Sequence, residues 1–265
     1  MSNTTFPETT RALFAQGKSI AVTLDSNQVQ VIPGEAIFST ITAAINSITD
    51  AGPDNIYKVI AGPGTYLESI GLKDHVYVIG AGEDATFVDS TGGSVIGGAV
   101  QTVGVCGVSS LTITRKAFHP NDMYVIGVYA PLRSAFLAEN LTINVNDAGM
   151  NSTVAGISNL AGDQNFAIQL SNCSINGIVT GSDSTVTGIQ LSAPVTVLVT
   201  QCVIDTQGLY SYGVVSGDTA NINLKQCTIT GQKYALYDSD GQSTITASNC
   251  VINGPVSPGV IIDPS

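Results

Sequence analysis

Side chains able to act as acids, bases or nucleophiles are sparse in this chain. Its 265 residues include 20 Asp or Glu, 9 Lys or Arg and 2 His. Acid–base catalysis needs such groups held close together, yet the clearest strand segments, residues 124–129, 154–157 and 186–189, contain no paired carboxylates. We therefore assign no catalytic residue, and the sequence favours binding or a structural role over catalysis.

Five cysteines form a second set of reactive side chains: Cys106, Cys173, Cys202, Cys227 and Cys250. Zinc sites need ligands in close pairs such as C-x₂-C, and no such pair occurs here. We predict no metal site and no cofactor. An odd number of cysteines excludes complete intramolecular pairing. Two interpretations remain: Cys173, Cys202, Cys227 and Cys250 form a buried ladder of small apolar side chains, or disulfides join some neighbouring turns of the chain. The spacing of the cysteines favours the ladder.

Tyrosines and nearby acids make up the remaining candidate site. Because an exposed Tyr ring on a flat β-face can stack on a sugar ring, we predict a carbohydrate-binding site whose residues are Tyr129, Tyr210, Tyr212, Tyr237, Asp238 and Asp240. Tyr234 belongs to the same group of tyrosines in the sequence. Two other interpretations stay open. The rings can be half-buried with only the hydroxyl in water, and Asp240, like Asp163 and Asp218, can form turns or a weak Ca²⁺ site, because Gly or Ser residues flank these acids.

A four-residue word that recurs along the chain identifies the elements that must position these side chains. It reads Asn or Gln, then Cys or Leu, then any residue, then Ile, and its copies begin at Asn140, Asn172, Gln201, Gln226 and Asn249, with a looser copy at Ser110. Consecutive copies are 23 to 32 residues apart. Alternation along a strand places the Cys and Ile of each copy on one face, so stacked copies form two buried columns, and the Asn and Gln amides can hydrogen-bond along the stack.

A second word runs in step with the first, about 13 to 17 residues upstream of it. It is a small residue followed by an aliphatic one, as in Gly156-Ile157, Gly188-Ile189 and Gly213-Val214. A third apolar segment lies between the two words. This pattern predicts an all-β fold, a single-stranded right-handed parallel β-helix of about 7 rungs.

The two ends of the predicted solenoid differ. Residues 38–48 have apolar side chains at helical spacing, with Ser39 or Thr40 as N-cap, and predict an N-terminal capping helix. Residues 1–35 lack the repeat and are expected to form an extension of one or two strands or an arm, followed by the β-helix domain at 36–265. No second helix is predicted near the C-terminus, where residues 260–262 either fold back as a cap or meet a partner, so we predict self-association or docking through this end.

Charge and hydropathy exclude several classes of partner. The net charge is −11, which disfavours nucleic acid and anionic membrane surfaces, and no apolar run is long enough to insert into a membrane. No signal peptide is recognised at the N-terminus. The compartment therefore stays unknown, with a virion or extracellular surface as the working hypothesis.

Residues 38 to about 90 resemble the start of the pectin methylesterase domain, in the pectin-lyase-like superfamily of right-handed parallel β-helices. The matching words are Phe38-Ser39-Thr40-Ile41, Ala61-Gly62-Pro63-Gly64-Thr65-Tyr66 and Val78-Ile79-Gly80-Ala81-Gly82. The resemblance implies a capping helix, a first turn and a first complete rung. Members with esterase activity use two Asp, a Gln and an Arg, but the words that carry them are not found here, and the chain has only Arg11, Arg115 and Arg133.

Two functions are compatible with these observations. The first is a non-catalytic β-helix scaffold or binding module, a structural or adhesive component of a virion or cell surface that takes a polysaccharide ligand. It agrees with the low charged fraction of 11%, against about 25% in typical soluble domains. The alternative is a carbohydrate-active enzyme, similar to a pectinesterase or polysaccharide lyase, with an atypical site.

Overall fold

A computed structural model describes the chain at residues 18–22, 37–90, 98–117, 124–130, 135–147, 152–159, 166–192, 194–217 and 219–263. One helix, α1 (Ile41–Ser47), occurs in these residues. None of the described helical structure is long and apolar enough to span a bilayer. Everything else of regular structure is β-strand.

The strands are short and follow one another at regular intervals. In chain order they are β1 (Lys18–Val22), β2 (Ile37–Phe38), β3 (Tyr57–Ala61), β4 (Gly64–Tyr66), β5 (Ile70–Gly71), β6 (Val76–Ile79), β7 (Thr86–Asp89), β8 (Gly98–Gln101), β9 (Val105–Lys116), β10 (Tyr124–Tyr129), β11 (Ala135–Asp147) and β12 (Thr153–Asn159). The second half continues with β13 (Phe166–Ser171), β14 (Ser174–Val179), β15 (Thr185–Leu191), β16 (Val195–Thr200), β17 (Val203–Gln207), β18 (Tyr210–Ser216), β19 (Asn221–Lys225), β20 (Thr228–Thr230), β21 (Tyr234–Asp238), β22 (Thr244–Ser248), β23 (Val251–Asn253) and β24 (Ile261–Asp263).

The strands stack in parallel into two sheets that wind around one core. Within the described ranges, seven strands form the smaller sheet, in the order β21-β18-β15-β12-β10-β8-β5, and 17 strands form the larger one. Each turn of the chain adds one strand to the smaller sheet and, typically, two to the larger. The predicted fold class, a right-handed parallel β-helix, is confirmed, with about 5 turns in the described residues in place of the predicted 7 rungs.

The repeated Cys and Ile side chains line the core as predicted. Ile143, Ile175, Ile204 and Ile229 lie directly above one another and are fully buried. The Cys row runs beside them. The carbonyls of Cys173, Cys202 and Cys227 each accept a hydrogen bond, at 2.8 to 2.9 Å, from the N–H of the residue that directly follows the Cys of the next rung; these donors are Val203, Thr228 and Val251. All five cysteines are free thiols. The ladder interpretation is therefore confirmed, and no disulfide joins the rungs.

The Asn or Gln that opens each repeated word lies at a corner of the solenoid, which at Asn140 is a bend within β11. Asn140, Asn172, Gln201, Gln226 and Asn249 all have φ between 51 and 55°. This left-handed backbone turns the chain from one strand of the large sheet to the next, and Asn tolerates it better than most residues. Stacking of amides along this corner is confirmed for one pair, where Asn172 Nδ2 donates to Asn140 Oδ1 at 2.7 Å.

Glycines of the smaller sheet lie opposite the Ile column across the core. A Cβ atom added to Gly188 would be 2.2 Å from Ile204 Cγ2, and one added to Gly156 would be 2.2 Å from Ile175 Cγ2. Gly213 has the same relation to Ile229, at 2.4 Å. The two repeated words of the sequence are thus one packing unit, because the missing side chain of the Gly makes room for the Ile methyl group.

The helix α1 is held at its N-terminus by two side chains. Thr40 Oγ1 accepts the N–H of Ala43 at 3.1 Å, as the sequence predicts for an N-cap. Glu68 was not anticipated: its two carboxylate oxygens accept the N–H groups of Ile41 and Thr42 at 2.8 and 2.9 Å. These bonds tie the helix to the first turn of the solenoid.

Strand β1 falls within the predicted N-terminal extension. Its residues pair in parallel with β3, so this segment belongs to the large sheet. The other residues of 1–35 lie outside the described part of the chain, and the predicted domain boundary stays a prediction.

The C-terminal residues add to the solenoid instead of folding back over it. Strand β24 pairs in parallel with β22, and Val256 forms a parallel bridge with Leu236. Among the described residues no strand pairs with the outer edge of β24, and Ile261 and Ile262 are 57% and 46% exposed. An exposed apolar edge strand is a template for pairing with another chain.

Self-association through this edge therefore stays a prediction, which one substitution tests. If copies of the chain associate through β24, Ile261→Lys is expected to lower the mass measured by light scattering at micromolar concentration, because a charge on an edge strand opposes pairing. Asp54→Lys, in an exposed turn near α1, is the control. A monomeric mass for the unaltered protein would contradict the prediction.

Candidate functional site

The predicted tyrosines lie on the outer face of the seven-stranded sheet. Two columns run up this face. The first contains Ile126, Ala155, Thr187, Tyr212 and Tyr234, and the second contains Tyr129, Ser158, Gln190, Val215 and Tyr237. The side chains facing the core between these columns are the Gly and aliphatic residues of the second repeated word.

Three of the tyrosine rings touch one another on strands β18 and β21. The ring centroids of Tyr234 and Tyr237 are 4.7 Å apart with an interplanar angle of 26°. Tyr212 lies 6.2 Å from Tyr234 and 5.7 Å from Tyr237. Such offset arrangements are favourable for aromatic pairs. Tyr234, which was not among the predicted site residues, belongs to this group, and Tyr237 is the ring nearest to both others.

Tyr210 lies two residues before Tyr212, at the start of β18. Its side chain is among the exposed ones, at 37%, and the ammonium group of Lys233 lies 4.8 Å from its ring centroid. This is a cation–π contact. We call Tyr210, Tyr212, Tyr234 and Tyr237 the tyrosine patch.

Tyr129 lies on the same face but far from the tyrosine patch. It is separated from Tyr237 by Ser158, Gln190 and Val215 in the same column. Four steps of strand spacing amount to about 19 Å. The sequence places Tyr129 on the correct sheet, but the structure does not bring it together with the other predicted residues.

Asp238 and Asp240 shape the turn after β21. Asp238 Oδ2 accepts the N–H of Ser243 at 3.2 Å, and Asp240 Oδ1 accepts the N–H of Gln242 at 3.1 Å. The second oxygen of Asp238 is shielded from solvent and has no hydrogen-bond partner. These contacts agree with the interpretation of the acids as turn formers, while Asp163 and Asp218 lie outside the described residues.

The middle of the face offers little open surface. Ile126, Ala155 and Thr187 are 3%, 0% and 2% exposed, and the side chain of Ser158 is fully buried. In the described strands of this sheet the two outer columns carry no carboxylate, and no described group of three or more His, Cys, Asp or Glu could hold a metal ion. The contacting tyrosine rings of this face therefore lie at its C-terminal rungs, and the exposed Tyr124 lies apart from them on β10.

Two buried groups elsewhere could suggest chemistry but are enclosed. Ser152 Oγ donates to Asp147 Oδ2 and lies 2.9 Å from Ser184 Oγ, and all three residues are buried. Burial also raises the pKa of the Cys106 and Cys227 thiols to about 12. A protonated, enclosed thiol is a poor nucleophile, so Cys106 and Cys227 serve the core.

Comparison with known proteins identifies the fold of this chain but not its activity. No family model and no curated protein matches the sequence. Among solved structures, the pectin methylesterase PemA from Erwinia chrysanthemi is similar with a TM-score of 0.58 at 8% identity, over 94% of both chains. The pectin methylesterase from carrot has a TM-score of 0.58 at 12% identity, covering 94% of this chain and 89% of its own.

A third similar structure is a pectin methylesterase in complex with a hexasaccharide, with a TM-score of 0.56 at 9% identity over 94% of both chains. At these identities the similarity concerns the fold alone. The chain therefore has the right-handed parallel β-helix fold of the pectin-lyase-like proteins.

Proposed function

We propose that this protein is a β-helix scaffold that binds a glycan through the tyrosine patch, as a structural or adhesive component of a virion or cell surface. The observation that carries the proposal is the contact of three tyrosine rings, at 4.7 to 6.2 Å, on the outer face of the seven-stranded sheet. Aromatic rings with a polar tip suit ligands that are apolar on one side and hydroxylated on the other.

The scaffold supports this function by its rigidity. Buried columns of Ile, Leu and Cys run the length of the solenoid, and β18 and β21 present their tyrosines from adjacent strands in fixed register. A binding site on regular strands needs little ordering when the ligand arrives. The hexasaccharide complex of a pectin methylesterase with this fold is consistent with an oligosaccharide on such a solenoid.

The alternative is a carbohydrate-active enzyme. It is supported by the pectin methylesterases among the solved structures that share this fold. The outer columns of the described seven-stranded sheet do not supply the paired carboxylates that such chemistry needs. Release of methanol, or of unsaturated or reducing ends, from a polysaccharide panel would favour the enzyme over the binding module.

The tyrosine patch is tested by single substitutions. Tyr212→Ala and Tyr237→Ala are each expected to weaken glycan binding at least about fivefold, because truncating an aromatic anchor typically costs more than about 1 kcal/mol. Tyr212→Phe keeps the ring and is expected to retain most of the affinity. A glycan array identifies the ligand, and isothermal titration calorimetry then measures the dissociation constants.

The matched control is Tyr124→Ala, which removes an exposed tyrosine in the same sheet, three strands from Tyr210. Its affinity is expected to equal that of the unaltered protein, and thermal unfolding of each variant verifies that the fold persists. Unchanged affinity in both patch variants, or an array without any bound glycan, would overturn the proposal.

A further inference from the structure

The acids nearest the tyrosine patch in the sequence are Asp238 and Asp240, which follow Tyr237. Asp240 is exposed in the turn after β21, whereas one carboxylate oxygen of Asp238 is shielded from solvent and the other accepts the N–H of Ser243. The whole chain carries a formal net charge of −11. Among the described residues at the patch, the cation is Lys233, and its ammonium group already lies over the ring of Tyr210 at 4.8 Å.

The rings themselves add to this preference. The face of a tyrosine ring is the negative side of its quadrupole, so it attracts C–H groups and cations and repels anions. Tyr234 and Tyr237 stack on one another, so one face of each ring is covered by its neighbour and the other face stays available to a ligand. A carboxylate placed over such a face loses hydration that the ring does not replace.

From these observations we propose that the tyrosine patch selects uncharged glycans and rejects polyuronates. This inference rests on the proposed glycan-binding function and specifies its ligand class. Uncharged sugar rings present C–H faces to Tyr212, Tyr234 and Tyr237, and their hydroxyls exchange hydrogen bonds with the phenol groups at the edge of the patch. Uronate residues place one negative charge per sugar beside the acids of the turn after β21.

The test compares chains that differ only in charge. The neutral polysaccharide that binds most tightly is converted to its own C6-carboxylated form, and homogalacturonan is used both fully methyl-esterified and fully de-esterified. Calorimetry with the intact protein at about 20 mM NaCl is expected to show at least about tenfold weaker binding of each carboxylated chain. The difference is expected to shrink at about 1 M NaCl, where charges are screened within about 3 Å, while neutral chains keep their affinity.

Asp240→Asn supplies a variant with less negative charge at the patch. It is expected to reduce the difference in affinity between neutral and carboxylated chains. Asp54 is a distant exposed acid, and Asp54→Asn is expected to leave that difference unchanged. Equal or tighter binding of the carboxylated chains, in a form that Tyr212→Ala abolishes, would overturn this inference while the glycan-binding function survives. Absence of binding to every neutral and carboxylated chain would overturn both.

Discussion

Gly188→Ala is expected to destabilise the solenoid by about 2 to 3 kcal/mol, at the upper end of the usual cost of overpacking a core. The added methyl group would be 2.2 Å from Ile204 Cγ2 and 2.6 Å from the carbonyl oxygen of Gly213 on the next rung. A side-chain methyl can shift by a small rotation, but the carbonyl belongs to a stacked strand and cannot. Urea unfolding followed by circular dichroism measures the loss.

A double-mutant cycle attributes this loss to the contact across the core. Ile204→Ala alone is expected to cost about 2 to 5 kcal/mol through the cavity it leaves. Because the new methyl group of Gly188→Ala fills part of that cavity, the double variant is expected to be more stable than the sum of the single variants predicts. The close contact between the added methyl group and the Gly213 carbonyl remains in the double variant. Ile204→Ala is therefore expected to restore only part of the stability lost in Gly188→Ala.

The control is Gly71→Ala in the same sheet, where an added Cβ would meet nothing within 4 Å. It is expected to change stability by less than about 0.5 kcal/mol. If Gly188→Ala behaves like Gly71→Ala, or if the cycle is additive, the Gly and Ile columns do not form one packing unit.

Glu68→Ala is expected to destabilise the N-terminal end by about 2 to 3 kcal/mol. The substitution removes two hydrogen bonds from backbone N–H groups of Ile41 and Thr42 to a carboxylate, at 2.8 and 2.9 Å. Hydrogen bonds to charged groups contribute about 1.5 to 3 kcal/mol, and a negative charge at a helix N-terminus adds a favourable interaction with the helix dipole. Because Glu68 is partly buried, water replaces part of this stabilisation when the carboxylate is removed.

Hydrogen exchange gives the local measurement for this prediction. The amides of Ile41 and Thr42 are expected to lose protection in Glu68→Ala, and those of the C-terminal rungs to change little, because each rung contacts chiefly its neighbours. Glu68→Gln keeps one oxygen acceptor. The protection of these amides in that variant is expected to lie between that in Glu68→Ala and that in the unaltered protein. Exchange at Ile41 and Thr42 equal to that of the unaltered protein would show that Glu68 does not hold the helix.

The repeated words predicted most of the fold because a solenoid uses the same local solution on each turn. Cys173-Ser174-Ile175 and its copies state directly which side chains face inward, since alternation along a strand is a property of the backbone. The helix was predicted at residues 38–48 from apolar spacing and is observed at Ile41–Ser47. Thr40 was among its predicted caps for the same reason, because an N-cap is local in the sequence.

Other features depend on residues far apart in the chain. Glu68 lies 26 and 27 residues from the two N–H groups that it caps, and no local pattern announces such a contact. The left-handed φ of Asn172 and Gln201 was also missed, because the repeated word reads as an uninterrupted strand. Five corners with Asn or Gln in the same position were the available signal, since this conformation favours Asn over most other residues.

For the candidate site, composition and order along the chain decided which residues were considered and the structure decided which of them meet. Tyr212 and Tyr237 were predicted together and lie 5.7 Å apart, whereas Tyr129 is about 19 Å away along the same column. The lengths of the turns vary from rung to rung, so sequence separation does not measure distance along the axis. Only the stacking of strands fixes that distance.

The amino-acid sequence by itself determined the parallel β-helix, its inward-facing columns and the location of its capping helix. Each of these follows from side-chain alternation and from a repeated word, which act over a few residues. Tertiary structure alone decided that Gly188 makes room for Ile204, that Glu68 holds α1, and that the ring of Tyr212 contacts those of Tyr234 and Tyr237. These contacts form between segments that the winding of the chain brings together, and their geometry depends on the register between rungs, which is set by packing of the whole core.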